Sequence, residues 1–260
     1  MTDAPTRGSR HTRPVRRGEL IRTLVRGIGQ TLITLGVVVL LFIVYEVWVT
    51  DQINKGVQSE LTQDLRARWE AGDNPLTVPE RTDAATVPLP LGEGFAVIRI
   101  PSFGLDYARV ILEGTDADKL DEGPGHYPDS ALPGEVGNFS LAGHRVSRGA
   151  PFLNLDQLES GDAIIIETSQ SWFVYRMLGD PAAGDVDGVP GLQIVDPSQV
   201  EVVAPVPGQP GQAPTRALLT LTTCHPKFSA AERLIIHAEL DGPALSKDEY
   251  PDGPPALTES

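Results

Sequence analysis

The residues that could perform covalent chemistry lie near the C-terminal end of this chain. Cys224 is the single cysteine among 260 residues, and Arg233 follows nine positions later. Residues 217–223 and 234–240 are apolar and rich in β-branched side chains, which predicts two strands joined by a short loop. A thiolate at one strand end is a nucleophile. A guanidinium beside it can stabilise the thiolate, or the oxyanion that forms when sulfur attacks a carbonyl.

The position of Cys224 favours a reactive thiol over a buried one. A lone cysteine is in general more often a small buried hydrophobe than a nucleophile. Strand alternation places Cys224 on one face with Thr220 and Thr222, at the strand exit, and the His-Pro dipeptide that follows ends the ladder. We therefore expect solvent to reach the sulfur. Arg233 could be only a solvated surface charge, so its catalytic interpretation depends on that of Cys224.

A proton carrier is the third requirement, and His144 is the best candidate. Histidine exchanges a proton near neutral pH, so it can protonate a leaving amine and deprotonate an incoming one. His144 follows Ala-Gly at the end of a predicted strand, where small residues allow close approach. Its alternative role is a structural cap of the next loop. Spacing alone does not choose between it and the other histidines, which are His11 (across the predicted membrane), His126, His225 and His237.

Two motifs resemble those of the sortases, cysteine transpeptidases that join proteins to the bacterial cell wall. The motifs are Ala142-Gly-His144-Arg and, eighty residues after that histidine, Thr220-Leu-Thr-Thr-Cys224 with Arg233. The resemblance covers residues 92–240. It implies that Cys224 is the nucleophile, that His144 is the general acid and base, and that Arg233 binds the substrate and the oxyanion. It also implies an all-β fold, the eight-stranded sortase β-barrel.

Longer patterns are most similar to class E sortases, the housekeeping enzymes of actinobacteria. They are Leu141-Ala-Gly-His-Arg-Val146 with Ala150-Pro-Phe-Leu-Asn-Leu155, and Cys224-His-Pro-Lys-Phe-Ser229. The similarity implies that surface proteins with a Leu-Ala-x-Thr-Gly or Leu-Pro-x-Thr-Gly sorting signal are the substrates. A peptidoglycan precursor amine would be the acceptor, and a thioester on Cys224 the intermediate. This chemistry requires no cofactor.

The charge of the chain is unevenly distributed. Residues 1–27 carry seven arginines against Asp3 and Glu19, a net charge of +5, so the remainder carries −19 of the total of −14. An acidic remainder excludes nucleic acid as the partner, because phosphate binding needs lysine and arginine. A basic N-terminus followed by an apolar run indicates a membrane instead.

Residues 28–49 predict one transmembrane helix. Roughly 20 apolar residues cross a bilayer, and Tyr45 and Trp48 would lie at interfacial depth. By the positive-inside rule, residues 1–27 form a cytoplasmic basic tail and everything from about residue 50 lies outside. The alternative is a cleaved signal peptide, but its apolar region is shorter and ends in a small-residue cleavage site, which this sequence lacks.

An extracytoplasmic domain with one cysteine has no internal disulfide and must be stabilised by its core. No metal site is predicted, because the chain has no Cys-x-x-Cys and its five histidines are scattered. The acidic segment 180–187 leaves calcium dependence open.

The chain divides into five predicted segments. After the tail and the membrane helix, residues 50–91 predict an amphipathic helix and a Pro-rich linker, residues 92–241 the catalytic domain and residues 242–260 a disordered acidic tail. The helix is interpreted as a continuation of the membrane helix, with a spacer or partner-binding helix as the alternative. Two loops rich in glycine and proline, 179–191 and 205–214, could be lids or plain surface loops.

Within the catalytic domain the sequence predicts about eight strands and little helix. Predicted strands are 95–100, 107–112, 137–143, 162–168, 172–178, 194–203 (interrupted by Pro197), 217–223 and 234–240, with a short helix at 115–120 capped by Thr115 and one or two helical turns at 152–158.

Two other functions remain open. One is a cysteine L,D-transpeptidase, although the chain lacks a Ser-x-Gly-Cys-x-Arg stretch. The other is a non-catalytic, membrane-anchored binding module.

Overall fold

The computed structural model describes residues 17–45, 50–76, 89–179 and 188–259. The chain forms two compact units, Met1–Val47 and Trp48–Ser260. The helices are α1 (Arg17–Val44), α2 (Thr50–Glu70) and α3 (Ala117–Leu120). The strands are β1 (Gly94–Arg99), β2 (Ala108–Glu113), β3 (Gly125–His126), β4 (Gly137–Ala142), β5 (Ala163–Glu167), β6 (Ser171–Met177), β7 (Leu192–Val195), β8 (Ala217–His225), β9 (Glu232–Leu240) and β10 (Leu245–Ser246).

The first unit contains α1, which begins earlier in the chain than the predicted membrane helix. Its segment Arg22–Val44 is the one stretch of the described residues that is long and apolar enough to cross a membrane. The rest of the predicted span, residues 46–49, lies outside the described residues, as does the tail 1–16.

Eight strands of the second unit close into a barrel. They follow one another in the order β6, β5, β1, β2, β3, β4, β8 and β9, and β9 pairs with β6 to complete the ring. The ladders β2–β3 and β4–β8 are parallel, and the other ladders of the ring are antiparallel. Outside the ring, β7 pairs with β9 and β10 pairs with β6. This architecture confirms the predicted eight-stranded barrel.

The barrel interior is filled by apolar side chains that alternate along the strands. On β8, Leu219 and Leu221 are fully buried in this core, whereas Thr220 and Thr222 take part in hydrogen bonds with polar groups on the other face. The predicted alternation of β8 is therefore correct, and it places Cys224 on the outer face of the barrel.

The folded unit begins before Gly92, because α2 packs on the barrel wall. Leu65 is buried against Val97, Val110 and Leu112 of β1 and β2. The side chain of Gln58 donates to the Glu122 carbonyl at 2.6 Å and accepts from the Val110 N–H at 2.9 Å. The interpretation of this helix as a mere continuation of the membrane helix is therefore wrong, because its apolar stripe covers two strands of the barrel. Linker residues 77–88 lie outside the described residues.

The prediction of a disordered tail at 242–260 is wrong for residues 242–259. They form β10 and a 3-10 helix, Pro255–Thr258. Leu245, Tyr250, Ala256 and Leu257 pack on the outer face of β5 and β6. The acidic, proline-rich composition conceals these apolar residues, whose spacing follows no helical or strand period.

Lys247 ties this C-terminal segment to the rest of the fold. Its ammonium lies 4.5 Å from the ring centre of Trp69 in α2 and 4.9 Å from that of Trp172 in β6. It also donates to Glu167 at 2.9 Å, and Arg99 donates to the other oxygen of the same carboxylate at 2.9 Å. Burial by itself would raise the pKa of Glu167, but the hydrogen bond and charge of Lys247, together with Arg99, hold that pKa below its ordinary value.

Three local predictions also need correction. Val200–Val203 is a 3-10 helix rather than the end of an extended stretch. The helix α3 starts after Asp116, not at Thr115, and no side chain caps it. The helical turn predicted at 152–158 is confined to Leu155–Gln157. The two-residue strands β3 and β10 were not predicted, and residues 180–187 of the first candidate lid lie outside the described residues.

Candidate active site

Strand register brings the three predicted residues to one end of three adjacent strands. Ala142 of β4 pairs with Thr222 of β8 in the parallel ladder, so His144 and Cys224 each lie two residues beyond that pair. In the antiparallel ladder between β8 and β9, Cys224 is opposite Arg233. In-register partners in neighbouring strands direct their side chains to the same face. The backbone positions of Cys224, His144 and Arg233 therefore lie at the same end of three adjacent strands, at the barrel rim.

The ladder that places His144 extends past the end of β4. The Gly143 N–H donates to the Thr222 carbonyl at 3.1 Å. In return, the Thr223 hydroxyl donates to the Gly143 carbonyl at 2.8 Å. These two bonds keep the backbone before His144 in register with β8 after the strand itself has ended.

Cys224 is a free thiol of intermediate burial. It is neither locked in the core nor at a loop tip, which fits the expectation that solvent reaches it. On the same face of β8, the Thr222 hydroxyl lies 3.1 Å from the Tyr127 hydroxyl. The outer face of β8 next to Cys224 therefore carries polar groups.

Arg233 directs its guanidinium to the loop that connects β8 and β9. One terminal nitrogen donates to the carbonyls of Ala230 and Glu232, both at 3.0 Å. Its other guanidinium N–H groups make no recorded hydrogen bond within the described part of the chain, and the side chain is half-exposed. The cation is thus anchored at the rim while it retains donors for an oxyanion.

His144 is paired with a residue that sequence reasoning did not identify. Its Nε2 lies 3.2 Å from Asp121 Oδ1, and the imidazole is 31% exposed. Arg148 approaches the other carboxylate oxygen of Asp121 at 3.1 Å. Asp121 follows α3, more than twenty residues before the histidine in sequence, so no local motif links the two.

The other described histidines are poor candidates for proton transfer at this rim. His126 is buried, with Nδ1 2.6 Å from Glu113 and Nε2 2.8 Å from Ser130. His237 is also buried, and loss of solvation lowers its pKa to about 4. His225 is the residue after Cys224 and pairs with Glu232. His11 lies outside the described residues. Burial thus disfavours His126 and His237 relative to His144.

The loop that follows His144 is held rigidly by a buried arginine. Arg145 is 2% exposed, donates to the Leu153 carbonyl at 3.0 Å and forms an ion pair with Asp156 at 3.0 Å. Lys227, in the loop after Cys224, lies 3.7 Å from the other oxygen of Asp156. One carboxylate therefore connects the histidine loop to the cysteine loop.

Two cavities lie in the barrel surface. The larger, about 550 Å³, lies at the start of β4, the opposite end of the β4–β8 ladder from this rim, and is lined by Asn138, Val203, Pro205 and Pro214 among others. The smaller, about 250 Å³, lies between α2 and the histidine loop, with Asn54, Arg109 and Arg148 in its wall. Pro205 and Pro214 belong to the second loop considered as a lid. No cluster of three or more potential metal ligands occurs among the described residues.

Comparisons with known proteins agree with the fold. Residues 98–241 match the family model described as the sortase domain. Sortase SrtE1 of Streptomyces coelicolor is 36% identical over 222 residues, which cover 83% of this chain and 56% of that protein. The chain therefore spans little more than half the length of that curated relative.

Solved structures are similar over about two thirds of this chain. The SrtF sortase from Corynebacterium diphtheriae superposes with a TM-score of 0.61 at 39% identity, over 70% of this chain and all of that chain. Sortase E1 from Streptomyces coelicolor, solved with a tripeptide in the active site, gives a TM-score of 0.53 at 35% identity over 64% of this chain and 97% of that chain. These relatives confirm the resemblance to class E. The chain belongs to the sortase family, whose members are cysteine transpeptidases.

Proposed function

We propose that this chain is a membrane-anchored sortase that cleaves a Leu-Ala/Pro-x-Thr-Gly sorting signal between threonine and glycine. The released carboxyl group would be transferred to an amine of a peptidoglycan precursor. The observation that supports this proposal most directly is the strand register, which brings the backbone positions of Cys224, His144 and Arg233 to one rim of the barrel.

In the first step, Cys224 attacks the threonine carbonyl as a thiolate. Arg233 stabilises the negative oxygen of the tetrahedral intermediate with its free N–H donors. His144, as an imidazolium, donates its proton to the departing glycine nitrogen as the carbon–nitrogen bond breaks. The products are a thioester on Cys224, a neutral imidazole and a free amine.

In the second step, an acceptor amine attacks the thioester while His144 removes a proton from its nitrogen. Collapse of the second tetrahedral intermediate forms the new amide and releases the thiolate of Cys224. Water can take the place of the amine, and the result is then slow hydrolysis. The tripeptide in the active site of the solved Streptomyces sortase E1 supports a peptide as the substrate.

The segment Arg22–Val44 would anchor the enzyme, with the barrel outside the cytoplasm. Substrates tethered to the same membrane then meet the site at a raised effective concentration. If this topology is correct, the full chain will fractionate with membranes and require detergent for release. External protease should digest the second unit in spheroplasts, and protection of that unit would contradict the topology.

Trapping the acyl-enzyme tests the chemistry. The full chain in detergent is mixed with a Leu-Ala-x-Thr-Gly peptide and a Leu-Pro-x-Thr-Gly peptide, then quenched in acid and analysed by mass spectrometry. We expect a thioester on Cys224 that contains the peptide up to threonine. We also expect that Cys224→Ala and His144→Ala each abolish cleavage, and turnover like that of the natural chain by either variant would overturn these assignments.

Two other functions predict different outcomes in the same assay. A cysteine L,D-transpeptidase would form its thioester with a peptidoglycan stem peptide and not with a sorting peptide. A non-catalytic binding module would form no thioester, and iodoacetamide would alkylate Cys224 no faster than a cysteine in a model peptide.

A further inference from the structure

The carboxylate of Asp121 is the nearest ionisable partner of His144, with Oδ1 3.2 Å from Nε2. We propose that Asp121 is a positioning residue for the sortase reaction. It binds the Nε2 side of the ring and so assigns proton exchange with Cys224 and the leaving amine to Nδ1. The inference rests on the proposed role of His144 and adds a residue to that site.

Asp121 is itself held in place from several directions. Its N–H donates to the Ala117 carbonyl at 3.0 Å, which closes the last turn of α3. Its carbonyl accepts from the side chain of Asn54 in α2 at 3.1 Å. Arg148 holds the second carboxylate oxygen at 3.1 Å. A group fixed at its backbone and at both ends of its carboxylate can orient a neighbour, whereas a free surface aspartate would pay entropy to do so.

The chemistry of the pair fixes the tautomer. An ionised carboxylate only accepts hydrogen bonds, so the ring nitrogen facing it must carry a proton. In the neutral imidazole that proton is the single one, and Nδ1 is then the basic nitrogen. When the ring becomes an imidazolium, the same carboxylate stabilises its charge. The ionisable groups next to this charge are Asp121 and Arg148, and Cys224 and Arg233 lie at the same end of the neighbouring strands β8 and β9.

Arg148 limits the size of the effect. It neutralises part of the Asp121 charge, and both members of the histidine pair are about one-third exposed. Solvent screens such a pair, so its contribution is smaller than that of a buried carboxylate behind a catalytic histidine. We therefore expect an effect on rate of about tenfold, at the low end of the range for general acid and base catalysis.

The test compares Asp121→Asn and Asp121→Ala with Asp118→Asn in the full chain in detergent. Asp118 lies in α3, the short helix that precedes Asp121, and it is 68% exposed and contacts Lys119. Its variant therefore controls for the loss of a negative charge near α3. With a Leu-Ala-x-Thr-Gly peptide, we expect kcat about tenfold lower in both Asp121 variants and KM within about twofold of the natural chain. Asp121→Glu should recover part of kcat.

A second measurement does not require turnover. Nitrogen NMR of histidine-labelled chain reports the tautomer of His144, and we expect the Nε2–H form in the natural chain and a mixture of tautomers in Asp121→Ala. An unchanged tautomer together with unchanged kcat would overturn the proposal. The proposal would also be overturned if the Asp121 variants differed from the natural chain only in a lower melting temperature, because Asp121 would then be a structural residue. If the natural chain cleaves no sorting peptide, the proposed function fails, but the NMR result still decides the role of Asp121.

Discussion

Cys224 and Arg233 are direct partners in the antiparallel ladder between β8 and β9, next to the last pair, where β8 ends and β9 begins. Side chains at such positions lie on one face of the sheet with Cβ atoms about 5 Å apart. Sulfur and guanidinium therefore share the barrel rim as a direct result of backbone pairing. The carbonyls of Ala230, in the connecting loop, and of Glu232, at the start of β9, accept hydrogen bonds from the guanidinium, which restricts where the cation can move.

Replacing Arg233 by lysine should impair the reaction although the charge is retained. A lysine cannot donate in the forked geometry of a guanidinium, so it would bind the loop carbonyls or the oxyanion but not both. We expect kcat/KM for the sorting peptide to fall by about 10²–10³, the usual cost of one oxyanion donor. Arg216→Lys, at the other end of the same strand pair, is the control and should stay within about twofold. Activity of Arg233→Lys close to that of the natural chain would exclude an oxyanion role.

Gly143→Ala, at the residue before His144, should destabilise the barrel. An added Cβ would lie 2.6 Å from the Phe152 ring, which is fully buried. Overpacking of this kind costs about 1–3 kcal/mol, or roughly 2–4 °C in melting temperature for each kcal/mol in a domain of this size. The double variant with Phe152→Leu removes the clash and should regain part of the loss. A single variant that melts like the natural chain would show that the ring has space.

His237 should make the fold sensitive to acid. The buried imidazole donates from Nδ1 to Thr220 and accepts from Gln193 at Nε2, which suits its neutral form. Burial lowers its pKa from 6.5 to about 4. The unfolded chain therefore binds the proton first, and stability is lost as pH falls from about 6.5 to about 4, by on the order of 3 kcal/mol at most. The prediction is checked by thermal unfolding of the natural chain and of His237→Gln at pH values across this range. If the melting temperatures of the two proteins fall in parallel with pH, His237 is not the cause of the acid sensitivity.

Removal of the C-terminal segment should weaken the fold. A chain that ends at Asp241 loses the apolar cover of Trp172 and the Lys247 ammonium bound to Glu167. Two or more large side chains become exposed, at about 1.5–3 kcal/mol each. We expect a melting temperature lower by about 6 °C or more. A chain that ends at Leu257 keeps these contacts and should melt like the full chain, and equal melting of both truncations would show that the segment is dispensable.

The strands that carry Cys224 and Arg233 could be predicted because they are long, apolar and separated by a short loop. Local pattern also indicated the strand before His144. The pairing of that strand with β8 could not be derived in the same way, since the parallel ladder joins residues eighty positions apart. The resemblance to sortases supplied what periodicity could not.

The features that the sequence did not predict correctly share a physical cause: tertiary packing overrides the preferences of local composition. Asp121 reaches His144 because α2 and α3 are docked beside the barrel, and no spacing in the sequence reports such docking. Residues 242–259 look disordered by charge and proline content, yet a few apolar side chains fit the outer face of β5 and β6. Val200–Val203 has strand-forming residues, yet it forms a 3-10 helix in which Val202 packs against Val195 and Ile235.

The parallel ladder between β4 and β8 has a consequence for variation and engineering. Since the two backbones are bonded side by side up to the catalytic rim, the thiol and the imidazole keep their spacing whatever the length of the chain that connects them. A tag or a small protein inserted near Gly208 or Gly211, both at exposed turns, would enlarge the enzyme without altering the distance between its two reactive groups.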